Sequence, residues 1–300
     1  MSIRLEMIQV ARLAPKLLGD STQLIEDYLL GQRHAAGGFV NREGMPDLYY
    51  SVFAFDALQC LQSKQPLDGF ADYLKSFECG DSLDFVHFCC LVRCASMVLG
   101  KETPKASFLE RLWSHRSADG GFHPQKGIDE STAYATFLAV GALQDLGWDL
   151  SSIRSEVLAS LDGLRAGKSA WSNERAVAIP STNATAAALT TLRQFGCFPD
   201  TETTQWILQM AHPMGGFLAA PQAPIPDLLS TATALHALSG DNQLLEPSLR
   251  ERCLDFLDSL WSNVGGFHGH WHEDHIDPEY TFYGLLALGH LSVSESLQEP

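Results

Sequence analysis

Apolar positions along the chain fall into two kinds of helical segment that alternate. The first kind, residues 21–30, 68–77, 104–114, 151–164, 201–211 and 246–261, carries charge along one side and apolar residues along the other. That pattern predicts helices half exposed to water. The second kind, residues 47–61, 84–98, 129–146, 181–195, 227–238 and 277–290, is apolar or small nearly all round. Ala133, Ala135, Ala139 and Ala142 in one, and Ala184, Ala186, Ala187 and Ala188 in another, predict helices buried on most sides and closely approached by neighbours. No run alternates apolar and polar residues between hairpin turns, so strands are not predicted. Met1 to Leu18 reads as a further amphipathic helix, and Glu6 within its apolar part argues against a secretion signal.

The alternation has a repeat. Gly-Gly-Phe stands at Gly37-Gly38-Phe39, Gly120-Gly121-Phe122, Gly215-Gly216-Phe217 and Gly265-Gly266-Phe267. A polar loop follows each time, then an Asp that opens a buried segment: Asp47, Asp129, Asp227 and Asp277. The spacings resolve into steps of 41 to 50 residues, with two further units at Asp84 and at Trp171 to Ser181 that lack the glycines. Each unit must bury its face on its neighbours, so one domain over residues 1–300 is expected. Six buried and six half-exposed segments imply two concentric rings, the inner helices parallel and the outer ones antiparallel to them. The glycines would end the outer helices in the left-handed conformation, and Phe would fill the gap behind. The Asp residues would cap the inner helices, with Asp277-Pro278 the clearest case. Helix N-termini gathered at one mouth would favour an anionic head on an apolar tail.

Composition narrows the partners. The net charge is −16 with only 20 Lys and Arg, which excludes the basic footprint of a nucleic-acid or anionic-membrane partner. Seven Cys in no regular framework read as reduced thiols of a cytoplasmic protein. No run of about 18 apolar residues occurs, so no transmembrane segment is expected.

Gly-Gly-Phe, a loop, then Asp and an apolar helix resembles the β subunit of protein prenyltransferases and the related squalene and terpene cyclases. The resemblance covers nearly the whole chain and implies an all-α, α/α six-fold toroid. Gly37 to Arg42 with Asp47-Leu48-Tyr49-Tyr50-Ser51 is similar to the transferase pattern of Gly-Gly-Phe, Arg, Lys, then Asp-x-Cys-Tyr-Ser. Asp277-Pro278-Glu279-Tyr280-Thr281 is similar to Asp-x-x-His-Thr. The resemblance implies a catalytic zinc on that Asp, Cys and His. Asp227 and Asp277 match the Asp positions, but Leu229 stands at the Cys position, Tyr280 at the His position, and Tyr49 replaces Cys in the first unit. Zinc that activates a thiol needs soft or imidazole ligands, so the family-type zinc site is expected to be lost. Of the diphosphate-binding cations Arg42 remains, with Met45 in the region of the Lys. The cyclase pattern Asp-x-Asp-Asp-Thr-Ala is matched by Ile128-Asp129-Glu130-Ser131-Thr132-Ala133, which puts Glu130 at the proton donor's place beside Asp129.

Other candidates come from the residues themselves. Asp84 and His87 lie three apart and share a helix face, as a metal pair or as a hydrogen-bonded His. His268, His270, His272 and His275, with Asp274 and Asp277, form the densest ligand-type cluster, as a metal site or a solvated loop. Cys89, Cys90 and Cys94 read as small core residues. Tyr49, Tyr50, Tyr134, Tyr280 and Tyr283 recur near inner-helix starts, as the lining of a ligand cavity or as rim packing. Three functions stay open. The first is a prenyltransferase β-subunit-like protein that holds an isoprenoid, with or without diphosphate, at Arg42 and the tyrosines. Asp277 and Tyr280 would lie beside the chemistry, and a helical protein partner is an option. The second is a small cyclase-like enzyme with Glu130 as acid. The third is a non-catalytic toroid module. The cofactor is left unknown.

Overall fold

The computed structural model describes residues 1–239 and 245–296, with the side chains of 294–296 excepted. In chain order its helices are α1 (Ile3–Ala11), α2 (Pro15–Leu18), α3 (Ser21–Gly31), α4 (Leu48–Cys60), α5 (Phe70–Lys75), α6 (Phe85–Val98), α7 (Lys105–Trp113), α8 (Ala133–Asp145), α9 (Arg154–Asp162), α10 (Thr182–Gln194), α11 (Thr201–Gln209), α12 (Leu228–Leu238), α13 (Pro247–Ser259) and α14 (Pro278–Ser296). The all-round apolar segments α4, α6, α8, α10, α12 and α14 pack in that order, and α14 packs on α4, so the ring closes. The one-sided segments α3, α5, α7, α9, α11 and α13 lie between them in the chain and keep their charged faces outward, as the pattern predicts.

Side-chain bonds give the inner helices their direction. At one end starts meet starts: Tyr49 of α4 bonds Glu279 of α14, and Asn183 of α10 bonds Ser230 of α12. At the other end finishes meet finishes: Gln144 bonds Gln194, Arg193 bonds His236, and His236 bonds His290. The six therefore run parallel. The outer helices start beside the inner finishes, as Lys105 of α7 on the Leu146 carbonyl and Arg250 of α13 on the Leu291 carbonyl place them.

Parallel helices put all their unpaired N–H groups at one end, and each needs a partner. Asp47, Asp84, Ser181, Asp227 and Asp277 accept from the first turn of their helices, as expected. For α8 the cap is Thr132, not Asp129. The helix begins three residues later because the Asp119 carboxylate holds the Ser131 N–H and hydroxyl outside it. Each cap contributes about 1 kcal/mol.

The glycine pairs do not end the outer helices; they turn small hairpins. Gly37, Gly120, Gly215 and Gly265 each donate to a carbonyl three residues back, at His34, Ser117, His212 and Ser262. Phe39, Phe122, Phe217 and Phe267 then pair antiparallel with the chain leaving the outer helix. The short strands β1 (Phe39–Val40), β2 (Pro46–Asp47), β3 (Trp261–Ser262) and β4 (Gly266–Phe267) are parts of these hairpins, too brief to show alternation in the sequence. The Phe N–H reaches a hydroxyl on the first turn of the next inner helix: Ser51, Thr136 and Thr231 at 2.9, 3.1 and 2.9 Å. Trp171 does the same to Thr185 at 3.0 Å in a unit without the glycines. The first glycine of each pair has φ of 95 to 103°. It lies against the next outer helix, Gly37 on Gly69, Gly120 on Glu156, Gly215 on Arg252 and Gly265 on Leu24. The last contact ties the final hairpin to α3 and closes the outer ring.

The N-terminal segment, expected as one amphipathic helix, forms two. It splits into α1 and α2, and α1 lies across the finishing end of the inner ring, touching α4, α8, α10 and α14. Ile3, Met7, Ile8 and Ala11 are buried there, and so is Arg4, which pairs with Asp56 at 3.0 Å. The Ile3 N–H donates to Gln144, and Glu6 pairs with Arg193.

A methyl group at Gly215 would collide with the Arg252 carbonyl and would sit at positive φ, whereas Gly147 has positive φ and open space. Gly147→Ala is expected to cost about 1 kcal/mol and Gly215→Ala about 3 kcal/mol or more, as read by chemical denaturation of the two variants.

Candidate functional site

The inner ring is hollow at its starting end. A cavity of about 380 Å³ lies along its axis, with Met7, Thr190 and His236 deepest. Its walls are unequal. Tyr49, Tyr134, Phe137 and Tyr283 from α4, α8 and α14 bring aromatic rings, while Ala184, Ala186 and Ala187 of α10 are too small to fill the opposite side.

One position of the repeat builds the upper wall. The residue two after each cap points inward: Tyr49, Tyr134, Asn183, Leu229 and Glu279 line the cavity. The residue directly after each cap, Leu48, Ala133, Thr182, Leu228 or Pro278, is buried against neighbouring elements. In α6 the equivalent residue is Val86, which faces a neighbouring cleft with Tyr49 on its edge. Among the described residues that line the cavity, Glu279 is the only acid and none is Lys or Arg.

The Tyr49 hydroxyl donates to Glu279 Oε1 at 2.6 Å, and Oε2 has no partner among the described residues. Burial pushes the Glu279 carboxyl up from 4.5 to about 7; the Tyr49 bond and Arg42 oppose this, and the Asp277 charge reinforces it. A carboxyl near its midpoint at neutral pH is protonated about half the time. Burial also raises the Tyr49 and Tyr283 phenols above their ordinary range, so both stay neutral. At the floor Arg193 donates to His236 Nε2, so His236 Nδ1 carries the proton that it shares with His290 Nε2 at 3.1 Å. Burial holds both imidazoles uncharged, His290 down at about 3.

At the mouth, each inner helix has at least one first-turn N–H held by its own cap. Arg42 donates to Asp277 Oδ2 at 2.8 and 3.0 Å and to Glu273 Oε2 at 3.1 Å, and lies over the Tyr280 ring at 5.4 Å. Its charge is met by two carboxylates before any ligand arrives.

The other sequence candidates are placed as follows. Tyr49, Tyr134 and Tyr283 line the cavity; Tyr50 and Tyr280 do not. Tyr50 packs edge-on against Tyr49, and Tyr280 against Gly269. Asp277 is 2 % exposed, caps α14 and holds Arg42. Asp129 and Glu130 are exposed on the loop before α8. Glu130 lies 3.4 Å from Arg175 and outside the cavity wall, because the α8 cap falls two residues after it. Asp84 bonds His87 at 2.8 Å, and His87 lies 3.5 Å from Asp47. His270 and His272 have ring centres 6.4 Å apart, and His275 bonds Glu273. No group of three or more His, Cys, Asp or Glu among the described residues is placed to share a metal ion. At the positions where the resemblance puts a zinc-binding Cys and His, Leu229 faces the cavity and Tyr280 sits under Arg42, so these residues do not fit that metal. Cys89, Cys90 and Cys94 are buried, and burial raises their thiols. Glu279 was missed because the caps drew attention; comparing the position two residues on across the repeat isolates it.

The prenyltransferase alpha-alpha toroid domain model matches residues 13–83, 75–176 and 181–298. Among solved structures, the type II terpene cyclase MstE from Scytonema is 13% identical with a TM-score of 0.60, over 93% of this chain and 99% of that one. A variant of that cyclase in complex with geranylgeranyl dihydroxybenzoate, its substrate, is 13% identical with a TM-score of 0.61, over 95% and 99%. A protein from Actinoplanes is 14% identical with a TM-score of 0.58, over 92% and 98%. At these identities the likeness is one of fold. No curated protein matches the chain. No helix among the described residues is long and apolar enough to cross a membrane.

Because Glu279 keeps its proton to higher pH in the folded chain than in the unfolded one, its contribution to stability is complete below pH 4.5 and is lost as pH rises through about 7. Between pH 5 and 8 the parent is expected to lose about 2.5 kcal/mol more stability than Glu279→Gln, as measured by denaturant unfolding at each pH.

Proposed function

The chain belongs to the prenyltransferase alpha-alpha toroid domain family, and from that premise we propose that its central cavity takes one isoprenoid chain, tail toward Met7 and His236, and that Glu279 hands it a proton. The observation that carries the reading is one carboxyl, held by Tyr49 and set among aromatic rings in a largely apolar hollow. A ring filled by side chains would have favoured a purely structural module. At about 30 Å³ per water-sized group, the hollow has room for roughly a dozen heavy atoms. A ten-carbon chain fills it, and a longer one would extend through the mouth.

Charge argues for a neutral isoprenoid over a diphosphate. No cation lines the wall, Glu279 would repel an anion, and Arg42 is engaged by Asp277 and Glu273. The acid strength suggests what receives the proton. A carboxyl with a pKa of about 7 suits transfer at neutral pH to an oxygen better than to an unactivated alkene. With an epoxide, the Glu279 proton would go to the ring oxygen as a C–O bond breaks. The electron pair of an internal alkene would then close onto the carbon, and the final cation would return a proton to the Glu279 carboxylate. Tyr49 would position the acid through Oε1, and the tyrosine faces would steady the passing positive charge.

Geraniol is expected to bind the parent in isothermal titration at least about tenfold more tightly than geranyl diphosphate, a difference of about 1.4 kcal/mol. Glu279→Gln is expected to slow turnover of a ten-carbon isoprenoid epoxide by about a hundredfold or more. Absence of binding by both ligands, or undiminished turnover by the Gln variant, would sink the reading.

A further inference from the structure

We propose that the cavity selects a ligand that carries a positive charge on an apolar body, an alkyl- or prenylammonium, over its neutral counterpart. The inference rests on the reading of the hollow as a ligand site and adds the sign of the charge it prefers, which reverses the expectation from converging helix N-termini.

Three features point the same way. The aromatic residues Tyr49, Tyr134, Phe137 and Tyr283 share the cavity with one carboxyl, and aromatic faces attract a cation most strongly where water is excluded. Glu279 Oε2 has no partner among the described residues, while Oε1 is fixed by Tyr49, so one oxygen is held ready for a donor. The cations around the hollow are answered within the protein. Arg42 faces Asp277 and Glu273 at the mouth; Arg93 faces Asp56 and Asp145, and Arg193 faces Glu6, toward the floor. His236 at the floor is held neutral by burial. Of the charged groups near the mouth, Asp47 and Asp227 add negative potential through their capping carboxylates.

The chemistry is an exchange of one proton. The amine enters already protonated and donates N–H to Glu279 Oε2. Where the carboxyl still held its proton, that proton leaves to solvent, and an ammonium–carboxylate pair remains. No covalent bond to carbon is made or broken.

The test uses the intact chain with geranylamine and geraniol in isothermal titration at pH 6.5, in two buffers of different ionisation enthalpy. Geranylamine is expected to bind at least about tenfold more tightly than geraniol and to release a fraction of a proton. In Glu279→Gln both the release and the advantage are expected to vanish, while the unfolding midpoint shows the variant folded. Tyr134→Leu, which keeps the carboxyl, is expected to weaken the amine more than the alcohol. Equal affinities for the two ligands in the parent would overturn the charge preference and leave isoprenoid binding standing. An amine advantage that persists in Glu279→Gln would overturn the role of the carboxyl. Silence from both ligands would remove this inference together with the reading beneath it.

Discussion

The ring stands on close contact between backbones at its seams. Two concentric layers of helix can share one axis only if each hairpin that links outer to inner comes near enough to touch the next outer helix. Gly37, Gly215 and Gly265 allow this because the space a Cβ would need is filled by the backbone of Gly69, Arg252 and Leu24. Positive φ at these glycines then turns the chain so that Phe enters the gap between layers. The Phe N–H is satisfied by a hydroxyl on the next inner helix, and for Phe39 and Phe217 that hydroxyl donates to the carbonyl of the capping Asp. Cap, hairpin and seam are thus one bonded unit, and the Trp171 unit keeps the hydroxyl bond where the glycines are absent.

The same parallel arrangement shapes the hollow. Helices that all begin at one end concentrate positive partial charge there, and six caps answer it locally. Once the backbone is satisfied, the character of the opening is left to side chains at one register of the repeat. That register carries Tyr49, Tyr134, Asn183, Leu229 and Glu279. Large residues on one arc and alanines on the other leave space that is off-centre, apolar and marked by a single acid. Its carboxyl is pushed up to about 7 because burial outweighs the help of Tyr49 and Arg42.

Much of the fold was legible because it repeats. Two kinds of apolar pattern separated inner from outer helices, and Asp47, Asp84, Asp227 and Asp277 cap the helices they were expected to cap. Local signals failed where a few residues of phase decide the outcome. The Asp129–Glu130 match was read as the head of a helix, but Thr132 starts that helix and leaves Glu130 on the outer loop. The hairpins were hidden because two-residue strands show no alternation. The place of α1 could not be read locally, since Gln144, Asp56 and Gln194, its bonding partners, lie 141, 52 and 188 residues away. Glu279 was visible in principle, as the one carboxyl at a register otherwise uncharged.

The position of α1 sets it beside α14, the last helix of the inner ring. Its Val10 carbonyl rests against Gly289 of α14, and the Ser292 hydroxyl reaches the Leu13 carbonyl. α1 also meets α4, α8 and α10, so its seat is built from early and late helices together. Contacts of such long sequence separation slow folding. The seal at the base and the closure of the circle share the α1–α14 contact, so whatever loosens that contact loosens both.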